Sequence, residues 1–223
     1  MNTKYLSGFQ LKLIAIICMA IDHSGAIFFP QMVWLRVIGR LTFPIFAWMI
    51  AMGYVYTKNV YLYAFRLFLV WIVSQIPYFF LFESLNIMPT LLAGLLCIYV
   101  YDRVKNKMIS VPIILLAVYA AQFFAFDYGA YGVLMIFSFY LFKNHFELSA
   151  LVQVLLVSAY TGYVYVLYHS LSIYTFIQIF SLFALPLIYW YNGKQGLKAK
   201  YLFYAFYPLH LLVLLIIKLL LPA

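Results

Sequence analysis

From Phe9 to Leu221 the sequence is a succession of apolar runs, most near the length of about 20 residues that carries a helix across a bilayer, separated by short charged or turn-rich breaks. That pattern leaves little choice of fold. In hydrocarbon a backbone must satisfy its own hydrogen bonds, and apolar runs of this kind do so as helices. The expected spans are 9–29, 33–56, 60–82, 87–101, 109–126, 130–142, 148–165, 171–191 and 201–221. The expected fold is all-α: a polytopic transmembrane helical bundle of about nine spans, with 1–223 as a single membrane domain. A chain that is 68% hydrophobic and 9% charged, with mean hydropathy +1.03, is far from the roughly 25% charged residues of a water-soluble domain. The first run has no small-residue cleavage site and is expected to remain as a span.

The net charge of +9, from 14 Lys and Arg against 5 Asp and Glu, raises a nucleic-acid reading. The placement of the cations argues against it, because they stand singly or in small groups between spans. With the amino terminus and Lys4 in the cytoplasm, alternate connections carry Lys58, then Arg103, Lys105 and Lys107, then Lys143, then Lys194, Lys198 and Lys200. The opposite connections carry Pro30 and Gln31, Glu83, Asp127 and the surroundings of His169, without Lys or Arg. This is the asymmetry of the positive-inside rule, and it predicts a multi-pass protein of the cytoplasmic membrane. Lys218, near the end of the last span, departs from it and is expected to snorkel outward.

Several residues interrupt the apolar pattern. Pro44, Pro77, Pro186 and Pro208 fall inside spans and are expected to kink them. Cys18 and Cys97 have neither metal nor disulfide spacing and are read as packing residues, and no metal site is expected. Asp22 and His23, side by side near the end of the first run, are different. Two successive ionisable groups on a span cannot both face lipid cheaply, so they mark a bundle interior or a wet cavity. Lys12 lies eleven residues earlier on the same helix face, about 16 Å away. Arg36 and Arg40 are one turn apart at matching depth, and either could pair with Asp22 and fix the first span against the second. Neighbours on a helix point about 100° apart, so Asp22 is a poor orienting partner for His23. Asp127 is the candidate carboxylate for that role, and His210 follows Pro208 within the last span.

The residues suggest two compartments, a basic cytoplasmic mouth with Lys12, Lys58 and Arg66, and an outer pocket with His, Asp and Arg. A donor with an anionic handle and a thin arm suits that layout. Acetyl-coenzyme A is the expected donor and no permanently bound cofactor is expected. His23 is the expected general base, since imidazole titrates near neutral pH.

The stretches Leu11 to Ile16, Ile21-Asp22-His23-Ser24-Gly25 and Leu35 to Phe46 resemble the opening signature of the TraX family. Further pieces follow in order: Arg66 with Ser74-Gln75-Ile76-Pro77, Asp127 to Gly132, Tyr191-Asn192-Gly193-Lys194, and Tyr207-Pro208-Leu209-His210. That resemblance implies a membrane protein related to one that acetylates the amino terminus of a conjugative pilin. It implies His23 as catalytic residue, with Arg36, Arg40, Asp127, Asn192 and His210 among the residues of the site. The spacing from Lys12 to His23 is similar to an Arg-to-His spacing in the wider transmembrane acyltransferase-3 group, with Lys here in place of Arg.

The expected function is transfer of an acyl group, expected to be acetyl, from cytoplasmic acetyl-coenzyme A to an amine or hydroxyl at the outer face, on a pilin-like peptide or a surface glycan. A small proton-coupled transporter or flippase, and a non-catalytic assembly partner of a surface appendage, are the alternatives.

Overall fold

The computed structural model describes residues 4–221. The helices are α1 (Gly8–Phe28), α2 (Val33–Gly39), α3 (Thr42–Tyr56), α4 (Val60–Phe82), α5 (Met88–Arg103), α6 (Lys107–Phe123), α7 (Gly129–Leu141), α8 (Phe146–Tyr168), α9 (Ile173–Phe176), α10 (Ala184–Tyr189) and α11 (Lys200–Leu220). A 3₁₀ segment, Ile177–Phe183, joins α9 to α10. The protein is an all-α membrane helical bundle. Among the described residues five segments are long and apolar enough to cross a bilayer: Gly8–Phe28, Val33–Tyr56, Val60–Phe82, Phe146–Tyr168 and Tyr201–Leu220. Lys107–Phe123, Gly129–Leu141 and Ile173–Tyr189 are shorter apolar helices, and the run 87–101 folds as α5.

Two expected spans are subdivided. The run 33–56 breaks at Arg40, whose backbone N–H closes the end of α2 onto Val37 and Ile38, and α3 starts afresh at Thr42. The run 171–191 is tightened in its middle into 3₁₀ geometry. The prolines divide by position. Pro44 and Pro186 occupy the first turns of α3 and α10, where no intrahelical N–H is required. Pro77 and Pro208 lie inside α4 and α11, and Pro112 inside α6 joins them.

The chain forms two compact units, Met1–Phe46 with Phe146–Ala223, and Ala47–His145. In the first, the entry to α1 is tied to the segment before α11. Leu6 donates to the Trp190 carbonyl and accepts from Asn192 N, while Gly8 N and Phe9 N donate to the carbonyls of Lys194 and Gln195, all at 2.9 Å. Ser7 and Gln10 complete a capping box, so the opening N–H groups of α1 are satisfied before it enters the bundle. Gly196 makes the close approach possible: its φ is +73°, and a Cβ there would come to 2.8 Å from Ser7 Oγ. Phe146 packs on Tyr189 at the same end. At the opposite end the Tyr174 hydroxyl donates to the Pro30 carbonyl, 3.1 Å. Among the described residues, Lys4, Lys194 and Lys198 therefore share one end of this unit, and Lys218 lies near the other.

The second unit sorts its charges in the same way. Asp102, at the end of α5, accepts from the hydroxyls of Tyr54 (2.7 Å) and Tyr140 (3.0 Å); in the chain Lys58 lies near Tyr54, Arg103 next to Asp102 and Lys143 near Tyr140. At the other end Gln75 donates to the Ser84 carbonyl, and Asn86 reaches Gln75 and Ser74. The Ser74-Gln75-Ile76-Pro77 stretch thus secures the turn from α4 into α5. Thr90 donates to the Asp127 carbonyl near the same end.

Candidate functional site

Asp22 lies fourteen residues into α1 and is buried. A carboxylate there requires compensation, and two guanidiniums from the next helix provide it. Arg40 Nη2 bonds both carboxylate oxygens, at 2.9 and 3.0 Å, and Arg40 Nε donates to the Arg36 carbonyl at 3.2 Å. Arg36 Nη1 lies 2.9 Å from Asp22 Oδ2 and donates to the Asp22 backbone carbonyl at 3.0 Å. The expected single pairing is a three-residue cluster, with both arginines engaged. Gly39 makes room for it, since a Cβ at that position would overlap the Asp22 carboxylate. Gly25 has the matching role on α1, where a Cβ would fall 2.6 Å from Leu35 Cβ. Thr42 adds a bond from the start of α3 to the Ala15 carbonyl, 3.2 Å.

α11 runs beside α1 in the same direction, as two contacts taken in order show. Phe9 meets Phe203 near the start, and His23 meets His210 further along. Lys12 lies between, its ammonium 5.5 Å from the Phe203 ring centroid. His23 Nδ1 and His210 Nε2 are 2.8 Å apart. The rings are inclined by only 8°, with centroids at 5.1 Å, the spacing of two imidazoles meeting edge to edge in nearly one plane. This is a hydrogen bond between rings.

The proton positions follow from the third member. His210 Nδ1 lies 2.9 Å from the Phe206 carbonyl, one turn earlier on α11. A carbonyl can only accept, so His210 Nδ1 carries the hydrogen and its Nε2 is the acceptor when the ring is neutral. His23 Nδ1 must then donate, and the unprotonated nitrogen of neutral His23 is Nε2. The Phe206 ring stacks on His210 at 5.0 Å and 11°, fixing the plane of the relay. Both histidines are half-buried.

The sequence matches the family described as TraX protein over residues 7–218. The chain belongs to the TraX family. A relative described as "Probable fimbrial assembly protein FimC, serogroup H1", from Dichelobacter nodosus, is 29% identical over 93% of this chain and 94% of its own length. No solved structure matches.

In this TraX protein the remaining expected site residues fall in both units, Lys12 and Asn192 in the first and Lys58, Arg66 and Asp127 in the second. Lys12 shares α1 with His23 but lies about 16 Å back along it. Asn192 is held at the α1 entry, where its side chain accepts from Lys194 N at 2.9 Å and its own N–H pairs with Leu6. That places it at the turn, about 24 Å along α1 from His23. Lys58, Arg66 and Asp127 belong to the second unit: Lys58 is exposed in the connection before α4, Arg66 half-buried on α4, and Asp127 half-buried before α7. Asp127 begins a left-handed turn, with Tyr128 at φ 62° and Gly129 at φ 48°. Asp127 is the carboxylate expected from sequence to orient His23; in the structure His210 is hydrogen-bonded to His23 Nδ1. Among the described residues no group of three His, Cys, Asp or Glu is placed to hold a metal ion. Gly39, Gly25 and the Phe206 carbonyl were not singled out from sequence. The glycines had a signal in their close spacing to Asp22 and Arg40, whereas a main-chain carbonyl has none.

Proposed function

We propose that this TraX protein is a membrane acyltransferase that moves an acetyl group from cytoplasmic acetyl-coenzyme A to an amine or hydroxyl at the outer face of the cytoplasmic membrane. The observation that carries the reading is the Phe206–His210–His23 relay, which leaves a basic nitrogen at His23 Nε2. His23 takes the proton from the acceptor N–H or O–H as that atom attacks the thioester carbonyl. The C–S bond breaks, and the imidazolium returns the proton to the departing thiolate. Acyl-histidine formation at the same nitrogen, followed by transfer, has the same balance.

The gathering of Lys4, Lys194 and Lys198 at one end of the first unit supports a cytoplasmic side for that end and a place for the donor's phosphates, with Lys12 partway toward His23. Asp22, Arg36 and Arg40 hold α1 against α2 at the depth of the histidines. The relative's printed link to fimbrial assembly favours a fimbrial or pilin-like subunit as acceptor, its terminal amine being the nucleophile. The same link supports a second reading, an assembly factor without catalysis.

Membrane vesicles holding the protein, supplied with isotopically labelled acetyl-coenzyme A, separate the two readings. Label in surface peptides or glycans, found by mass spectrometry and lost in His23→Ala at equal protein level, is the expected result. Equal labelling in the variant would overturn the enzymatic reading.

A further inference from the structure

We infer that the second unit seats an anionic phospholipid where α4 meets α5, with the lipid phosphate on Lys58, Arg103 and the hydroxyl pair of Tyr61 and Tyr99. The two helices pack side by side, and the start of α4 lies against the end of α5, where the Tyr61 and Tyr99 hydroxyls meet at 2.6 Å. One of these hydroxyls donates to the other, so of their two hydrogens one is left to donate outward. Arg103 follows Tyr99 by one turn on the same face of α5, its guanidinium 5.9 Å from the Tyr99 ring centroid. Lys58 stands exposed in the connection into α4, three residues before Tyr61. Two cations and a spare hydroxyl hydrogen therefore gather at one corner of this unit.

The neighbouring carboxylate is spent elsewhere. Asp102 precedes Arg103 in the chain, but its oxygens accept from Tyr54 and Tyr140, and among the described residues neither Lys58 nor Arg103 forms an ion pair. Glu83 and Asp127, the unit's other carboxylates, lie at its opposite end. Lys107 and Lys143 are drawn to rings of their own. Lys107 donates to the Tyr101 carbonyl at 2.6 Å with its ammonium 3.6 Å from that ring centroid, and Lys143 lies 4.1 Å from the Tyr140 centroid. The surface that continues from the corner decides the class of ligand. Phe65, Phe68 and Ile72 follow Tyr61 at four, seven and eleven residues and form one exposed apolar stripe along α4, and Leu96 is exposed on α5 just before Tyr99. A soluble phosphate has nothing to place on that stripe. A phospholipid meets both parts, with its acyl chains along α4 and its phosphate at the level of the tyrosines, where headgroups lie.

The test uses the full-length protein purified in a maltoside detergent and read by thermal shift at fixed ionic strength, with dioleoylphosphatidylglycerol or dioleoylphosphatidylcholine titrated into the micelles. The wild type is expected to bind phosphatidylglycerol more tightly, with the apparent affinity falling about fivefold in Lys58→Gln, about fivefold in Arg103→Gln and further in the double variant. Lys105→Gln, which removes a charge just beyond Arg103, is expected to keep the wild-type affinity. Equal affinity for the two lipids in the wild type, or an unchanged phosphatidylglycerol affinity in the double variant, overturns the proposal. An equal loss in Lys105→Gln also overturns it, because the attraction then belongs to the charge of the whole end. If inorganic phosphate or acetyl-coenzyme A alone reproduces the shift and loses it in the same variants, the corner takes a soluble phosphate and the lipid assignment fails. Lys58→Gln, at an exposed position in a connection, covers the case in which Arg103→Gln does not fold: unchanged phosphatidylglycerol affinity in that variant overturns the proposal.

Discussion

His210 supplies to His23 what a carboxylate supplies in many acid–base pairs, a fixed acceptor for Nδ1–H, and it does so without adding a negative charge to a site already carrying a buried aspartate. On the proposed function, His210 is a positioning residue. Replacing it with Phe keeps a flat ring and removes the acceptor, and label transfer is expected to fall on the order of 10²-fold. His210→Gln offers an amide oxygen to Nδ1–H and is expected to recover part of that loss, which the vesicle assay reads directly. Equal rates in the two variants would mean that His210 serves only to fill space. At this scale the ionisable cluster was legible in the sequence, because Asp22, His23, Arg36 and Arg40 cannot face lipid and had to find one another. The bond from His23 to His210 was not legible, since its partners are 187 residues apart and meet only through the approach of α11 to α1.

The pair α1 and α2 is held by glycines as much as by charge. Gly39→Ala drives a methyl group into the Asp22 carboxylate, so either the helices separate or the carboxylate leaves its arginines. A loss of about 1–3 kcal/mol is expected, read as a lower melting temperature in detergent, with label transfer falling further than in a surface control such as Gly162→Ala. Gly162 is exposed on α8, and a Cβ there meets nothing within 4 Å. Helix positions were legible from run length, and the α4 and α11 limits lie within a residue or two of expectation. The break at Arg40 and the 3₁₀ stretch at 177–183 were not, because neither is marked by a charged or turn-rich connection of the kind that separates the runs. Asn192 shows the opposite case. Asn-Gly is a plain turn signal, and the structure uses it as one, in the clamp that starts α1.

Each unit taken by itself carries its basic connections at one end, a regularity that the sequence displayed as alternating loop charge. The orientation proposed from it is open to a direct check. In intact cells, a membrane-impermeant maleimide is expected to label Ser170→Cys, in the connection after α8, and to leave Lys194→Cys unlabelled until the membrane is permeabilised. Cys18 and Cys97 are buried and give little background. Labelling of Lys194→Cys alone from outside would invert the topology and put the donor's entrance on the wrong side. The division into two compact units was not legible, because no linker or change of composition marks residues 46 and 146.

The account depends most on the protonation pattern of one ring, and nitrogen-15 NMR of the histidine-labelled protein in lipid at neutral pH reads it without any acceptor in hand. The expected spectrum has His23 protonated at Nδ1 and bare at Nε2, with a nitrogen–nitrogen coupling across the bond to His210 that disappears in His210→Phe. A His23 ring protonated at Nε2, or lacking that coupling in the wild type, would contradict the account.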